Sequence, residues 1–240
     1  MFLLRIFPLS IPSSQSTISS MKPTLVCLFA HPDDEAFGPS GTIHAFTKMH
    51  DVYIICATNG DAGENHHPAG GTIDLGHQRK SEIIESSKVL GVKKVFFLEH
   101  KDGELSNNKY QTIATECRTI LDDLRPQILL TFEHRGISGH IDHVFMAMVT
   151  SFLYERLSYV QEAHFYCLRE DQHNKKPGEY FIYFPRGYKE SEVDKTVDIT
   201  KYLAVKKAAI SKHISQTKDM KNILKSLRTK ECFYIFKKDK

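Results

Sequence analysis

The tightest constraint on this chain is the run Thr24–Ala30 (TLVCLFA), apolar throughout after its first residue and without the alternation of a half-exposed strand. A run of that length with no polar side reads as a strand covered on both faces, the signature of a sheet sandwiched between helices. Further such runs recur at Val52–Ala57, Lys94–Leu98 and Gln127–Phe132, with helical stretches between them at Phe37–His50, Gln78–Leu90 and Tyr110–Leu124. Gly91 is placed to stop the second helix and Pro126 to close the third. Ile141–Leu157 is a fourth amphipathic helix, Ala163–Cys167 and Phe181–Phe184 are further strands, Ile199–Asp219 is mostly helical, and Cys232–Phe236 is a last strand. This alternation predicts a single α/β domain over 22–240: a Rossmann-like, mostly parallel sheet with helices on both faces. In such folds ligands bind beyond the carboxyl ends of the strands.

The rest of the composition excludes more than it proposes. Residues 1–21 hold an apolar stretch broken by Arg5 and Pro8, then a serine-rich one. This is too short to span a bilayer, which needs ~20 apolar residues; it reads as a disordered N-terminal extension or an upstream start before Met21, with a targeting-like sequence, acid-free and serine-rich, as the alternative. No other stretch is apolar enough for an integral membrane segment. A net charge of +3, matched by the terminal lysines alone, gives no reason to expect nucleic acid. Five scattered cysteines without a C-x-x-C pair fit a reducing, cytoplasmic setting.

Two strand ends carry the chemistry. His31-Pro32-Asp33-Asp34-Glu35 follows the first strand, and Gly136-Ile137-Ser138-Gly139-His140-Ile141-Asp142-His143 follows the fourth. His31 and Asp34 can converge across a turn, and His143 can complete a His-Asp-His set with one position open. That is the pattern of catalytic zinc, although two histidines and a carboxylate also suit Fe2+. A phosphate cradle is disfavoured by the three carboxylates and the missing glycine fingerprint, and covalent catalysis by the absence of a nucleophile elbow. Taken singly, Asp33 or Asp34 could cap a helix and His140 or His143 could be loop residues. Two such clusters at two strand ends are far harder to assign to chance.

Together with Thr58-Asn59-Gly60, Arg79-Lys80-x-Glu82, Lys101-Asp102-Gly103-Glu104-Leu105 and the stretch around His213 and Gln216, these motifs resemble the LmbE-like (PIG-L) N-acetylglucosaminyl deacetylases. The resemblance covers about 22–236. It implies zinc bound by His31, Asp34 and His143, Asp33 as general base, and a protonated His140 that stabilises the oxyanion or donates a proton. Arg79 and Asp102 are the expected substrate contacts, against bland readings as an Arg79–Glu82 surface pair and an Asp-Gly turn. Asp142 is expected to orient an imidazole from behind the ligands. His66 and His67 read as exposed or lid residues, His44 and His50 as a helix face, and His213 with Gln216 as the site rim.

The implied function is zinc-dependent removal of an N-acetyl group from an N-acetylglucosamine-type sugar conjugate. The alternatives are an amidase of the same fold acting on another acyl or sugar-thiol conjugate, or a metal- or sugar-binding module without activity. The expected partner is a small N-acetylated sugar conjugate; homo-oligomerisation is left open. The family's membrane branch acts on glycosylphosphatidylinositol precursors, whereas HPDDEAFGPSG and DGEL sit closer to its soluble members.

Overall fold

The computed structural model describes residues 22–66, 74–172, 183 and 185–239. The extension 1–21, His67 and all of Phe181–Phe184 except Tyr183 lie outside them. The strands are β1 (Thr24–Phe29), β2 (Asp51–Thr58), β3 (Lys94–His100), β4 (Ile128–Phe132), β5 (Glu162–Cys167), β6 (Lys195–Asp198) and β7 (Lys230–Lys237). The helices are α1 (Asp34–Phe37), α2 (Ser40–Phe46), α3 (Leu75–Leu90), α4 (Tyr110–Leu124), α5 (Gly136–Gly139), α6 (Ile141–Arg156), α7 (Leu203–Ile210) and α8 (Thr217–Lys225).

One seven-stranded sheet runs in the order β3-β2-β1-β4-β5-β7-β6. The five strands β1 to β5 pair in parallel, and β7 lies antiparallel to both β5 and β6. The apolar run of β1 finds its explanation in two cores. Val26 and Leu28 pack with Cys117, Leu121, Phe145 and Val149 from α4 and α6 on one face. Leu25, Cys27 and Phe29 pack on the other with Ile43, Ile83 and Ile210 from α2, α3 and α7. Alternate side chains of one strand thus serve opposite cores, and truncating a fully buried one such as Leu28 to alanine would cost ~2–5 kcal/mol.

The expected helix Phe37–His50 is instead two, α1 and α2, split at Gly38-Pro39. A Cβ on Gly38 would stand 2.6 Å from the Phe132 ring, so only glycine lets this turn pass over the end of β4. The expected Ile199–Asp219 helix divides into α7 and the start of α8, with His213 in the break. Helix α3 begins earlier than expected because Asp74 caps it, accepting from the His77 amide at 3.1 Å. Gly91 ends it with φ of 84°, as its position implied. Strand β6 was invisible in the sequence: it is a four-residue edge strand, and Val197 is its one apolar residue, so no pattern announces it.

Strand order reverses between β1 and β4, the two strands followed by the histidine motifs. Their chains depart to opposite faces of the sheet, and a crevice opens at their carboxyl ends.

Candidate active site

At the end of β1 the chain turns sharply. Asp33 has φ of 135°, a region that costs a non-glycine residue ~1–3 kcal/mol. Two buried partners hold it there. Glu35 accepts from the Asp33 amide at 3.1 Å. Arg79 donates to the Pro32 carbonyl and to Asp33 Oδ2, each at 2.8 Å. Asp33 Oδ2 is thereby fixed, and neither Asp33 nor Asp34 caps α1 through its side chain in the ordinary way. Asp34 Oδ2 folds back to accept from the Ala30 and His31 amides at 3.0 and 2.9 Å, which leaves Oδ1 aimed at the crevice.

The second motif supplies the opposite wall. His140 caps α6, its Nδ1 accepting from the Asp142 amide at 3.2 Å. His143, one turn into α6, has Nδ1 3.1 Å from the Gly136 carbonyl oxygen, so this nitrogen carries the proton and donates. Nε2 of His143 is therefore the lone-pair nitrogen, and it lies 3.1 Å from Asp34 Oδ1 and 3.0 Å from His31 Nδ1. His31 Nε2 donates to Asp102 Oδ1 at 2.9 Å, with Asp142 Oδ2 at 3.4 Å. Asp142 is itself pinned, accepting from the Gly103 amide at 2.8 Å and the Leu105 amide at 3.3 Å.

The outcome is a triangle of His31 Nδ1, His143 Nε2 and the Asp34 carboxylate, with sides of 3.0 and 3.1 Å at His143 and a longer third side of 3.9 Å from His31 Nδ1 to Asp34 Oδ2. Both imidazoles have their outward nitrogen occupied by a hydrogen bond to protein, leaving the inward nitrogens facing each other. Two inward nitrogens at 3.0 Å beside a carboxylate require positive charge between them, either a proton or a metal ion. The two edges at His143, 3.0 and 3.1 Å, are close to the ~3.3 Å expected of ligands around a tetrahedral zinc with bonds near 2.0–2.1 Å, and the third, at 3.9 Å, is wider. Hydrogen bonding of the remote nitrogen is the usual way a ligating histidine is oriented. The residues therefore fit a divalent metal.

The electrostatics agree. Burial alone would lower the His31 pKa, but its hydrogen bonds to Asp102 and Asp142 and the charge of Asp34 outweigh burial and raise it to about 10. Asp34 is held well below the usual carboxylate range; burial opposes this, and the charges and hydrogen bonds of His143 and His31 prevail. Asp33 moves the other way, to about 6, because burial raises it more than Arg79 lowers it. His140 is lowered by burial and by the neighbouring His31 and His143. With Nδ1 accepting from the Asp142 amide, Nε2 is the ring nitrogen left to donate.

A cavity of about 450 Å³ opens over the triangle. His140, Arg79 and Asp102 line its reacting end; Phe37, Phe132, Tyr166 and Ile223 line its apolar walls. Arg79 is more deeply committed than expected. Its guanidinium also donates to the Gly60 carbonyl at 2.8 Å, and its ion pair is with Asp33, not Glu82. Glu82 instead accepts from the Ser215 amide and hydroxyl at 2.8 and 2.6 Å. Asp102 lines the cavity while bonded to His31. His213 lies beneath the rim, its Nε2 2.7 Å from Glu35 Oε1 with both side chains fully buried, and Gln216 is at the cavity wall. His44 bonds the Leu90 carbonyl on the far side of α2, and His66 pairs with Glu64 at 3.0 Å. Glu35 stood in the first motif without an assigned role. Glu133, next after β4, was missed altogether: it accepts from the Arg135 and Ile137 amides at 2.7 and 2.9 Å and from the Tyr188 hydroxyl at 2.8 Å. It thereby fixes the loop whose Gly136 carbonyl orients His143.

Comparison with known proteins adds an independent line. A family profile described as GlcNAc-PI de-N-acetylase (PIG-L) matches residues 26–153. The chain is 30% identical over 155 residues to a 1D-myo-inositol 2-acetamido-2-deoxy-alpha-D-glucopyranoside deacetylase of Salinispora arenicola, an alignment covering 55% of this chain and 50% of that protein. It thus spans about half the length of that relative. It is 26% identical over 206 residues to a Bacillus subtilis protein named "Probable N-acetyl-alpha-D-glucosaminyl L-malate deacetylase 2", covering 83% and 86% of the two chains. Among solved structures it superposes on an N,N'-diacetylchitobiose deacetylase from Pyrococcus horikoshii with TM-score 0.66 and 22% identity, over 89% of this chain and 84% of that one. That likeness establishes the fold.

Proposed function

The chain belongs to the PIG-L family, and on that premise we propose that it hydrolyses the N-acetyl group from an N-acetylglucosamine-type sugar conjugate with a divalent metal, zinc in the first instance, held by His31, Asp34 and His143. The observation that carries this reading is the triangle itself, in which His143 Nε2 lies 3.0 Å from His31 Nδ1 and 3.1 Å from Asp34 Oδ1. When bound, zinc supplies a Lewis acid that brings the pKa of a water from ~15.7 to ~7.

The chain's own residues do the rest. Asp33 stands beside the ligands with its Oδ2 tied to Arg79, so it serves as a base that takes the water proton as oxygen attacks the acetyl carbon. A carboxylate lifted to about 6 is close to the ideal for exchanging a proton near neutrality. Nε2–H of His140 donates to the oxygen that becomes negative in the tetrahedral intermediate. Asp33 then returns its proton to the leaving nitrogen, and acetate and the free amine separate. Asp142 and Asp102 keep His31 in its ligating tautomer. We assign Asp102 and Arg79, at the reacting end of the cavity, to the sugar hydroxyls as well.

All five cysteines are free and buried, which supports the reading of a reducing, cytoplasmic setting. Among the described residues no helix is long and apolar enough to cross a membrane. The test is amine release from a panel of N-acetylglucosamine conjugates by zinc-loaded and chelator-stripped enzyme. Release should vanish on stripping and return with zinc; no release from any conjugate by fully loaded enzyme would refute the assignment.

A further inference from the structure

The cavity is lined by carboxylates and imidazoles at its reacting end, but its lining also holds a basic side chain. Arg228, between α8 and β7, lines the wall there and is half-buried. Its guanidinium donates to the Gln172 carbonyl, yet among the described residues no carboxylate pairs with it. Five other arginines have acidic partners, Arg79, Arg118, Arg135, Arg169 and Arg186, while Arg125 and Arg156 lie over the Tyr159 and Phe152 rings; of the arginines without an ion pair among the described residues, Arg228 is the one that lines the cavity. A guanidinium that lines a cavity without an ion-pair partner is a ready oxyanion receptor, because its fork matches a carboxylate or phosphate in two parallel hydrogen bonds.

A second observation stands independently of Arg228. Helix α8 presents Lys218, Lys221 and Lys225 at intervals of three and four, a single face of one helix. With His66 they line a groove of about 380 Å³, and Asn222 borders both this groove and the active-site cavity. None of the three lysines makes an ion pair among the described residues. Asp219, on the same helix, lines the cavity, and Glu64 pairs with His66. The cavity and the groove that adjoins it at Asn222 thus both carry basic side chains.

We propose that the group attached to the sugar carries an oxyanion, a carboxylate or a phosphate, received by Arg228, with Lys218, Lys221 and Lys225 raising the local potential at the mouth. This rests on the deacetylase reading and narrows it, since the relatives' names include both an uncharged inositol and an anionic malate aglycone. The arrangement selects the anionic kind. Arg228 touches no reacting atom and acts on affinity.

The test uses equilibrium binding, so it does not depend on turnover. Three glucosaminides are compared on the zinc-loaded full chain by calorimetry: the methyl glycoside, a carboxymethyl glycoside and a phosphoethyl glycoside. At least one anionic form should bind about tenfold or more tighter than the methyl glycoside, and the stronger of the two identifies the oxyanion. The advantage should collapse in Arg228→Gln and shrink in Lys221→Gln/Lys225→Gln. Equal affinities, no binding of any of the three, or an anionic preference that survives Arg228→Gln would overturn the proposal. Amine release from the N-acetylated forms is measured in parallel: anionic preference without release would refute the deacetylase reading and leave the oxyanion site standing.

Discussion

At the scale of single residues the site turns on Asp33. A residue at φ of 135° would relax if it were free to, and the structure surrounds it with groups that prevent this: Glu35 on its amide, Arg79 on its carboxylate, and His213 buttressing Glu35 from 2.7 Å. Strain of this kind persists where neighbours over-determine it, and here it aims one carboxylate at the crevice without letting it join the ligands. Asn in place of Asp33 keeps the shape and can still accept from Arg79, but it cannot take a proton. Asp33→Asn should therefore bind one metal equivalent as before while kcat falls ~10² to 10⁴-fold. The same logic fixes the sign of the pH dependence. Asp33 can act as the proposed base only when ionised, and burial raises its pKa to about 6. In the wild type kcat/KM should drop as pH falls through that region, or somewhat lower once a metal's charge stabilises the carboxylate. A full-strength Asp33→Asn enzyme, measured by metal content and steady-state kinetics, would remove Asp33 from the mechanism.

Elements are held in register by a second kind of buried polar contact. Lys206 on α7 donates at 2.6 Å both to Glu231 on β7 and to the Gly38 carbonyl. Glu231 in turn accepts from the amides of Gly41 and Thr42 at 3.1 and 2.7 Å, satisfying the first turn of α2. One ion pair thus ties α2, α7 and the α1–α2 turn to β7. Lys206→Met would leave Glu231 charged and buried without its cation, a loss of ~3–5 kcal/mol. For a domain of this size that is a fall in Tm of roughly 6–20 °C, read by calorimetry; a change under 2 °C would show the pair to be dispensable. None of this was legible in the sequence, where Lys206 looks like one more solvated helix lysine and Glu231 is far along the chain. What was legible had local causes. The β1 run, the Gly91 stop and the two histidine motifs each depend on neighbours within a few residues and on the rule that α/β sites lie at strand ends. Arg79 marks the boundary: its i,i+3 neighbour Glu82 was visible, but its true partner Asp33 is brought to it only by the packing of α3 against the β1 turn. Glu133 and Arg228 had no sequence signal, since each acquires its meaning from the loop or cavity beside it.

For the molecule as a whole, the proposed ligand triangle spans the line where the sheet changes direction. His31 and Asp34 follow β1, His143 follows β4, and these strands are paired through Leu25–Cys27 and Ile128–Leu130 before they part. A metal there joins the two halves of the sheet where hydrogen bonding between them has ended, so binding and folding are linked. Free zinc at ~1,000 times its Kd would add ~4 kcal/mol, a rise in Tm of roughly 8–16 °C. The increment must also depend on pH with a definite sign. In the metal-free chain His31, raised to about 10, is protonated at neutrality, and that proton occupies the space the metal requires. Binding expels it, so apparent affinity weakens about tenfold for each unit the pH falls, and at fixed free zinc the stabilisation shrinks by ~1.4 kcal/mol per unit. Thermal unfolding with and without zinc at pH 6, 7 and 8 reads this directly. The increment should grow from the lowest pH to the highest. An increment that stays constant would mean His31 does not exchange its proton for the metal, and none at any pH would mean that the triangle does not bind zinc.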